Sequence, residues 1–383
     1  MSQHEQQIIR QLQALVGTAS VSSTDPSWDQ GNRAVVELLA GWLGDLGFAT
    51  EITDVSEDGR KANLIATLGA GPGGLVLAGH TDTVPFDEGR WRSDPLQLTE
   101  RDHRLYGLGS TDMKGFFPLA IAAARAFVDA PLKQPLIILA TADEESSMNG
   151  ARALAAAGQP RGRAAIIGEP TSLVPVRLHK GIMMESIQIT GSAGHSSNPA
   201  LGVNAIDVMH GVLSELMLFR QELAQRYSNS AFEVAFPTLN LGCIHGGDSP
   251  NRICGGCELH FDLRLTPAAA AAGVRQDLEQ RLQRIAVERG AGIALRPLVE
   301  PVPPFEQAAD SELVRLAEKL TGHSARAVGF ATEAPFLQAL GMETIVMGPG
   351  SIDRAHQPDE YLELDQIQPC IDLLQQCIAR YCL

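Results

Sequence analysis

The stretch LVLAGHTDTVP, residues 75–85, ends an apolar run with His80 and Asp82, an imidazole and a carboxylate two residues apart. Residues of the same chemistry recur elsewhere. Asp143, Glu144 and Glu145 follow the apolar PLIILATA, and Glu169 ends AAIIGE. Asp112 lies in the loop GLGSTDMKG, and His356 in SIDRAHQPDEY, after the apolar ETIVMG. Carboxylates gathered without cations repel one another strongly. Divalent ions remove that repulsion, and imidazole with carboxylate suits zinc and its neighbours in the series. Two such ions about 3.5–4 Å apart, bridged by a carboxylate and a water, form a hydrolytic centre. Taken singly, each position has a plainer reading. A lone His after a strand is commonly a satisfied polar residue, and an Asp-Glu-Glu run a solvated turn. Their recurrence at separate strand ends and loops is what points to metal.

Bringing them together requires an open α/β sheet, where ligands bind outside the carboxyl ends of the strands. The pattern agrees. ANLIATLG, GGLVLAGH, PLIILATA and AAIIGEP read as strands, interleaved with the helical spacing of NRAVVELLAGWLGDLGF, MKGFFPLAIAAARAFV and ARALAAAG. Alternation of this kind argues for a mostly parallel sheet flanked by helices. After about Lys180 the pattern changes. MMESIQITG, TLNLGCIHGG and CELHFDLRL alternate as half-exposed strands, with long helices expected near 204–225 and 268–289. Two helices on an antiparallel sheet is an α+β layout. Residues 181–289 therefore read as an inserted domain, with residues 1–180 and 290–383 forming the discontinuous first domain.

The chain has 383 residues, 44% hydrophobic and 20% charged, the composition of a globular protein with a large core. No apolar run is long enough to span a membrane, and the start MSQHEQQIIRQLQAL lacks the basic and apolar parts of a signal peptide. A cytoplasmic location and no membrane partner are the expectations. The net charge of −15 and the absence of a basic block argue against nucleic acid. Of six cysteines, Cys254 and Cys257 form a lone C-x-x-C without a second pair, so inert thiols are expected. GAGPGG at 69–74 precedes a strand and reads as a turn, and no G-x-S-x-G elbow is present.

GHTDTVP (79–85), LYGLGSTDMKGF (105–116), ATADEESSMNGA (140–151), IIGEPT (166–171) and AHQPDEY (355–361) occur in order over most of the chain. Together they resemble the successive signatures of the dinuclear zinc aminoacylase and carboxypeptidase family. The resemblance implies two divalent ions, Zn2+ with Co2+ as an alternative. It makes His80 and Glu169 ligands, Asp112 the bridge, and Glu145 with His356 the ligands of the second ion. Glu144 is left as general base, and Asp82 orients the His80 ring. The family also resembles proteins with a cis peptide after the bridging Asp, here Asp112–Met113. His195, in GSAGHSSNP, matches the histidine that stabilises the oxyanion, supplied in that family across a homodimer interface with closure of the inserted domain. On its own it reads as a turn histidine beside Ser196 and Asn198.

Asn251 and Arg252, in DSPNRIC, match a motif that resembles the family's carboxylate clamp, and a guanidinium fork suits a planar carboxylate. Glu333, in ATEAPF, reads either as a partner for a substrate ammonium or as a helix N-terminal acid. The implied activity is metal-dependent hydrolysis of a small linear amide, N2-acetyl-L-ornithine, in arginine biosynthesis. The alternatives are a relative acting on succinyl-diaminopimelate or on N-acyl amino acids generally, and a non-catalytic metal or amino-acid binding protein. An unligated Glu144 argues against the last.

Overall fold

Four apolar runs, Leu75–His80, Leu136–Thr141, Ala164–Pro170 and Glu343–Gly348, form strands that are buried almost end to end in the computed structural model, which describes residues 3–383. They pair in parallel, with Leu136–Thr141 and Ala164–Pro170 on either side of Leu75–His80, and Glu343–Gly348 beyond Ala164–Pro170. Ala62–Leu68 and Ala49–Asp54 extend the sheet antiparallel at one edge. Leu75, Leu77, Ile138, Ile166 and Ile345 pack into one core with the helices Gln3–Gly17, Arg33–Asp45, Phe116–Arg125 and Ile367–Cys382. The alternate residues Val76, Ile137, Leu139, Ile167 and Val346 are buried on the opposite face. Burial on both faces is why these strands read as continuous apolar runs and not as alternating ones.

The chain divides into two compact units. The first comprises Met1–Arg177, Gln307–Arg326 and Thr332–Leu383, and the second Leu178–Glu306 with Ala327–Ala331. The second holds an antiparallel sheet in the order Thr238–Gly246, Gly256–Leu265, Gly181–Thr190, Gly292–Pro297. Met183, Ile187, Ile189, Leu259, Phe261 and Leu263 face one side and pack with Val208, Val212, Leu216 and Phe219 of the helix Ala205–Arg226 and with Leu278 and Leu282 of Ala271–Arg289. Asn204 caps the longer helix, its side-chain oxygen accepting from the Ile206 N–H at 3.0 Å. The expected return to the first domain at residue 290 is too early. Gly292–Pro297 pairs along Gly181–Thr190, so the second unit runs on to Glu306.

One element has no counterpart in the sequence reading. Thr99–Arg101, Arg104–Tyr106 and Tyr361–Glu363 form a three-stranded antiparallel sheet, with Tyr361 opposite Tyr106. Strands of three residues are too short to show periodicity. No helix among the described residues is long and apolar enough to cross a membrane. All six cysteines are free, and Cys254, Cys257, Cys370, Cys377 and Cys382 are buried.

Candidate metal centre

His80 ends its strand level with Thr141 on the neighbouring one, so the imidazole and the Asp143–Glu145 turn leave the sheet side by side. Two glycines bring the Asp112 loop against them. A Cβ on Gly79, before His80, would lie 2.5 Å from Met113 Cε, and one on Gly168, before Glu169, 2.1 Å from Phe116 Cγ. With no side chain at either place, the segment after Asp112 packs directly on the strand ends. The Asp112–Met113 peptide is cis.

The His80 ring is 1% exposed. Its Nδ1 lies 3.0 Å from the Asp82 carbonyl oxygen. A carbonyl only accepts, so Nδ1 carries a proton. Nε2 donates to Asp112 Oδ1 at 3.1 Å and lies 3.8 Å from Glu169 Oε1. His356 Nε2 lies 3.0 Å from Glu145 Oε2 and 3.3 Å from Asp112 Oδ2. Asp112 thus stands between the two histidines, one oxygen toward each.

Two groups of donor atoms lie within 4.8 Å of one another: His80, Glu144 and Glu169, and His80, Asp112 and Glu145. The chemistry of this set fits divalent cations. Loss of water contact and neighbouring carboxylates hold Glu144 and Glu169 well above the usual carboxylate range, and Glu145 is raised for the same reasons. Burial would raise Asp112 too, but hydrogen bonds with His356 and His80 outweigh it and keep its carboxyl well below the usual range. Contacts with Asp112 and Glu145 push His356 up to about 10. Such a concentration of acids is the environment that a bound cation relieves. Glu144 is among the donors of the first group, while the resemblance assigns it the part of general base.

The sequence profile of the Peptidase family M20/M25/M40 matches residues 76–380. The chain belongs to this family. It is a metal-dependent hydrolase with the M20 fold. It is 50% identical over 370 residues to an acetylornithine deacetylase of Vibrio parahaemolyticus, covering 97% of each chain. To an acetylornithine deacetylase of Edwardsiella ictaluri it is 51% identical over 369 residues, covering 96% of each. A Bacillus subtilis structure described as a dinuclear metal-binding peptidase of the M20 family superposes with a TM-score of 0.69 at 16% identity, covering 98% of both chains.

In this M20 chain, Asp82 does more than hold His80. Its carboxylate stands 3.7 Å from the ring nitrogen, farther than its own carbonyl, and accepts from the backbone N–H of Glu144 at 3.3 Å and of Glu145 at 3.0 Å. Behind the turn, Lys61 Nζ lies 2.7 Å from Asp143 Oδ1 and 2.8 Å from Asp29 Oδ1, and Ser22 Oγ donates to Asp143 at 2.9 Å.

Glu333 stands at the N-cap of the helix Ala334–Ala339, the helix N-terminal position that was one of the two expectations for it. It is 1% exposed and makes no cap hydrogen bond at the helix Ala334–Ala339. Instead Oε2 lies 2.8 Å from Thr141 Oγ1 at the end of the central strand, and Oε1 is buried without a hydrogen-bond partner. Burial pushes its carboxyl up to about 7. The side chain is thus packed against Thr141 at the strand end.

The remaining three residues belong to the second unit. His195 and Arg252 form an antiparallel bridge, and the Ser196 N–H donates to the Asn251 carbonyl at 3.2 Å. All are exposed. The His195 ring takes its local partner from Ser197, whose Oγ lies 2.9 Å from Nδ1. Arg252 pairs with Asp248.

Two residues of the first unit went unassigned in the sequence reading. Lys61 carries no motif that would mark it. Glu360 lies inside AHQPDEY, yet its partners are backbone N–H groups, which leave no trace in residue types.

Proposed function

We propose that this chain removes the acetyl group of N2-acetyl-L-ornithine, giving L-ornithine and acetate, as a step of arginine biosynthesis. The observation that carries the reading is the near full-length identity of about half to two acetylornithine deacetylases, joined to a site whose donor atoms converge in one place. His80, Asp112, Glu145, Glu169 and His356 would hold the divalent cations, zinc or cobalt, with Asp112 read as the shared ligand, and these would supply Lewis-acid charge for hydrolysis of the amide.

The chain's own groups do the rest. Glu144 accepts a proton from the water as its oxygen adds to the acyl carbon, then returns a proton to the amine nitrogen as the C–N bond breaks. Its raised affinity for protons suits both halves of that exchange. Asp82 fixes the ring of His80 and the backbone of Glu144 and Glu145 together. His195 is assigned donation to the oxyanion, and Asn251 with Arg252 recognition of the α-carboxylate.

We place the enzyme in the cytoplasm, where its free cysteines stay reduced, and as a homodimer. The strand Thr238–Gly246 ends its sheet with one edge unpaired among the described residues, and Ile244 on it is 51% exposed, the kind of edge a second copy covers. Sedimentation at equilibrium tests the dimer.

The function is tested by a kinetic panel on zinc- or cobalt-reconstituted protein. Acetylornithine should give a kcat/KM above those of succinyl-diaminopimelate and of acetylated neutral amino acids. Equal rates across the panel would favour a general aminoacylase instead.

A further inference from the structure

Glu360 is 2% exposed, and both its oxygens point into the loop that carries Asp112. Oε1 accepts from the N–H groups of Thr111 at 2.8 Å and Asp112 at 2.9 Å. Oε2 accepts from Gly109 N–H at 3.1 Å. The Glu360 carbonyl takes a fourth N–H, from Gly107, and the Thr111 hydroxyl donates to the carbonyl of Tyr361. The loop 107–112 is therefore wrapped around one buried acid. That acid stands four residues from His356, and the pairing of Tyr361–Glu363 with Arg104–Tyr106 continues the attachment.

The geometry demands two acceptor oxygens. Three N–H groups converge from one loop, and none can turn to water at this depth. A carboxylate has acceptor sites on both oxygens, whereas an amide has one acceptor oxygen and an NH2 that would face Gly109 N–H. Fixing the loop backbone at Asp112 itself sets where that side chain stands between His80 and His356.

We propose that Glu360 is the positioning residue for Asp112, joining the loop of the shared aspartate to the loop of His356 so that one buried carboxylate sets the spacing of the two metal positions. The assignment rests on the reading of Asp112 as the shared ligand. Glu360 acts through the backbone of the Asp112 loop.

The test is calorimetric titration of metal-stripped protein with Zn2+ alone, beside thermal melts with and without zinc. The wild type should take up two ions per chain. Glu360→Gln should bind at least one of them about 10–100-fold more weakly, the usual cost of losing a group that orients a ligand. Its zinc-dependent rise in melting temperature should shrink accordingly. Asp112→Asn is titrated in parallel. Wild-type zinc binding by Asp112→Asn sinks the shared-ligand reading itself. Weakened binding by Asp112→Asn with wild-type binding by Glu360→Gln leaves that reading standing and overturns the role of Glu360. A lowered melting temperature of the metal-free Glu360→Gln protein with unchanged zinc affinity marks a merely structural carboxylate and overturns it equally. If Glu360→Gln does not fold, Glu360→Asp, which keeps the charge and shortens the reach, is judged by the same two criteria.

Discussion

The Asp82 carboxylate and the backbone of Glu145 are joined directly, the N–H of Glu145 donating to Asp82 Oδ2 at 3.0 Å while the N–H of Glu144 reaches Oδ1 at 3.3 Å. One side chain at the end of one strand thus holds the turn at the end of the next. Asp82→Asn keeps the shape but replaces one accepting oxygen with a donor that opposes an N–H. A loss of about 10–100-fold in kcat or zinc affinity is expected. Steady-state kinetics with metal analysis check it, and unchanged values would leave the turn without its organiser.

Glu144 is close enough to be a ligand and is assigned the role of base. The two roles separate on substitution. Glu144→Gln should lower kcat by about 10²–10⁴, with the zinc content of the purified protein unchanged. Loss of an ion in this variant would make Glu144 a ligand and leave the proton transfers to another group.

Lys61 neutralises Asp143 at the start of the same turn. Its side chain is 13% exposed and that of Asp143 6%, so water does little to replace it. Lys61→Met leaves a buried carboxylate unpaired, which costs about 3 kcal/mol. Urea unfolding should show this loss, and adding Asp143→Asn should recover part of it, because the two residues share one interaction.

The acids of the centre make the metal-free protein sensitive to pH. Glu333 is raised from 4.5 to about 7 by burial. Across that window the folded chain retains protons that the unfolded chain has released, so stability falls as pH rises. His356, raised to about 10, acts in the same direction above its ordinary value. Melting temperatures of the metal-stripped protein should fall between about pH 5 and pH 8, and less steeply in Glu333→Gln. The rise on adding zinc should grow over the same range, since cations compete with protons for these ligands. A metal-free protein most stable at the alkaline end would refute the sign.

The strand ends were legible in the sequence because burial on both faces leaves continuous apolar runs, and His80, the Asp143–Glu145 turn and Glu169 follow them directly. His356 and Asp112 were legible only through the chemistry of their motifs. The sheet that sets one loop against the other is built from three-residue strands with no period to read. Asp82 was recognised as a partner of His80, but its second task, holding two backbone N–H groups of the turn, depends on strand register and not on residue type. Glu333 drew two readings from its charge and place in the chain, and its depth beside Thr141 leaves no trace in residue types. The second unit was extended by one strand, Gly292–Pro297, since an edge strand half exposed on both faces has no marked alternation.

The pairing of Tyr361–Glu363 with Arg104–Tyr106 bears on how the molecule is made. Synthesis delivers His80, Asp112 and Glu169 long before His356 and the acid beyond it. Until those last residues leave the ribosome, the Asp112 loop lacks the strand and the buried carboxylate that hold it in the finished fold, so its shape is set only at the end of biosynthesis.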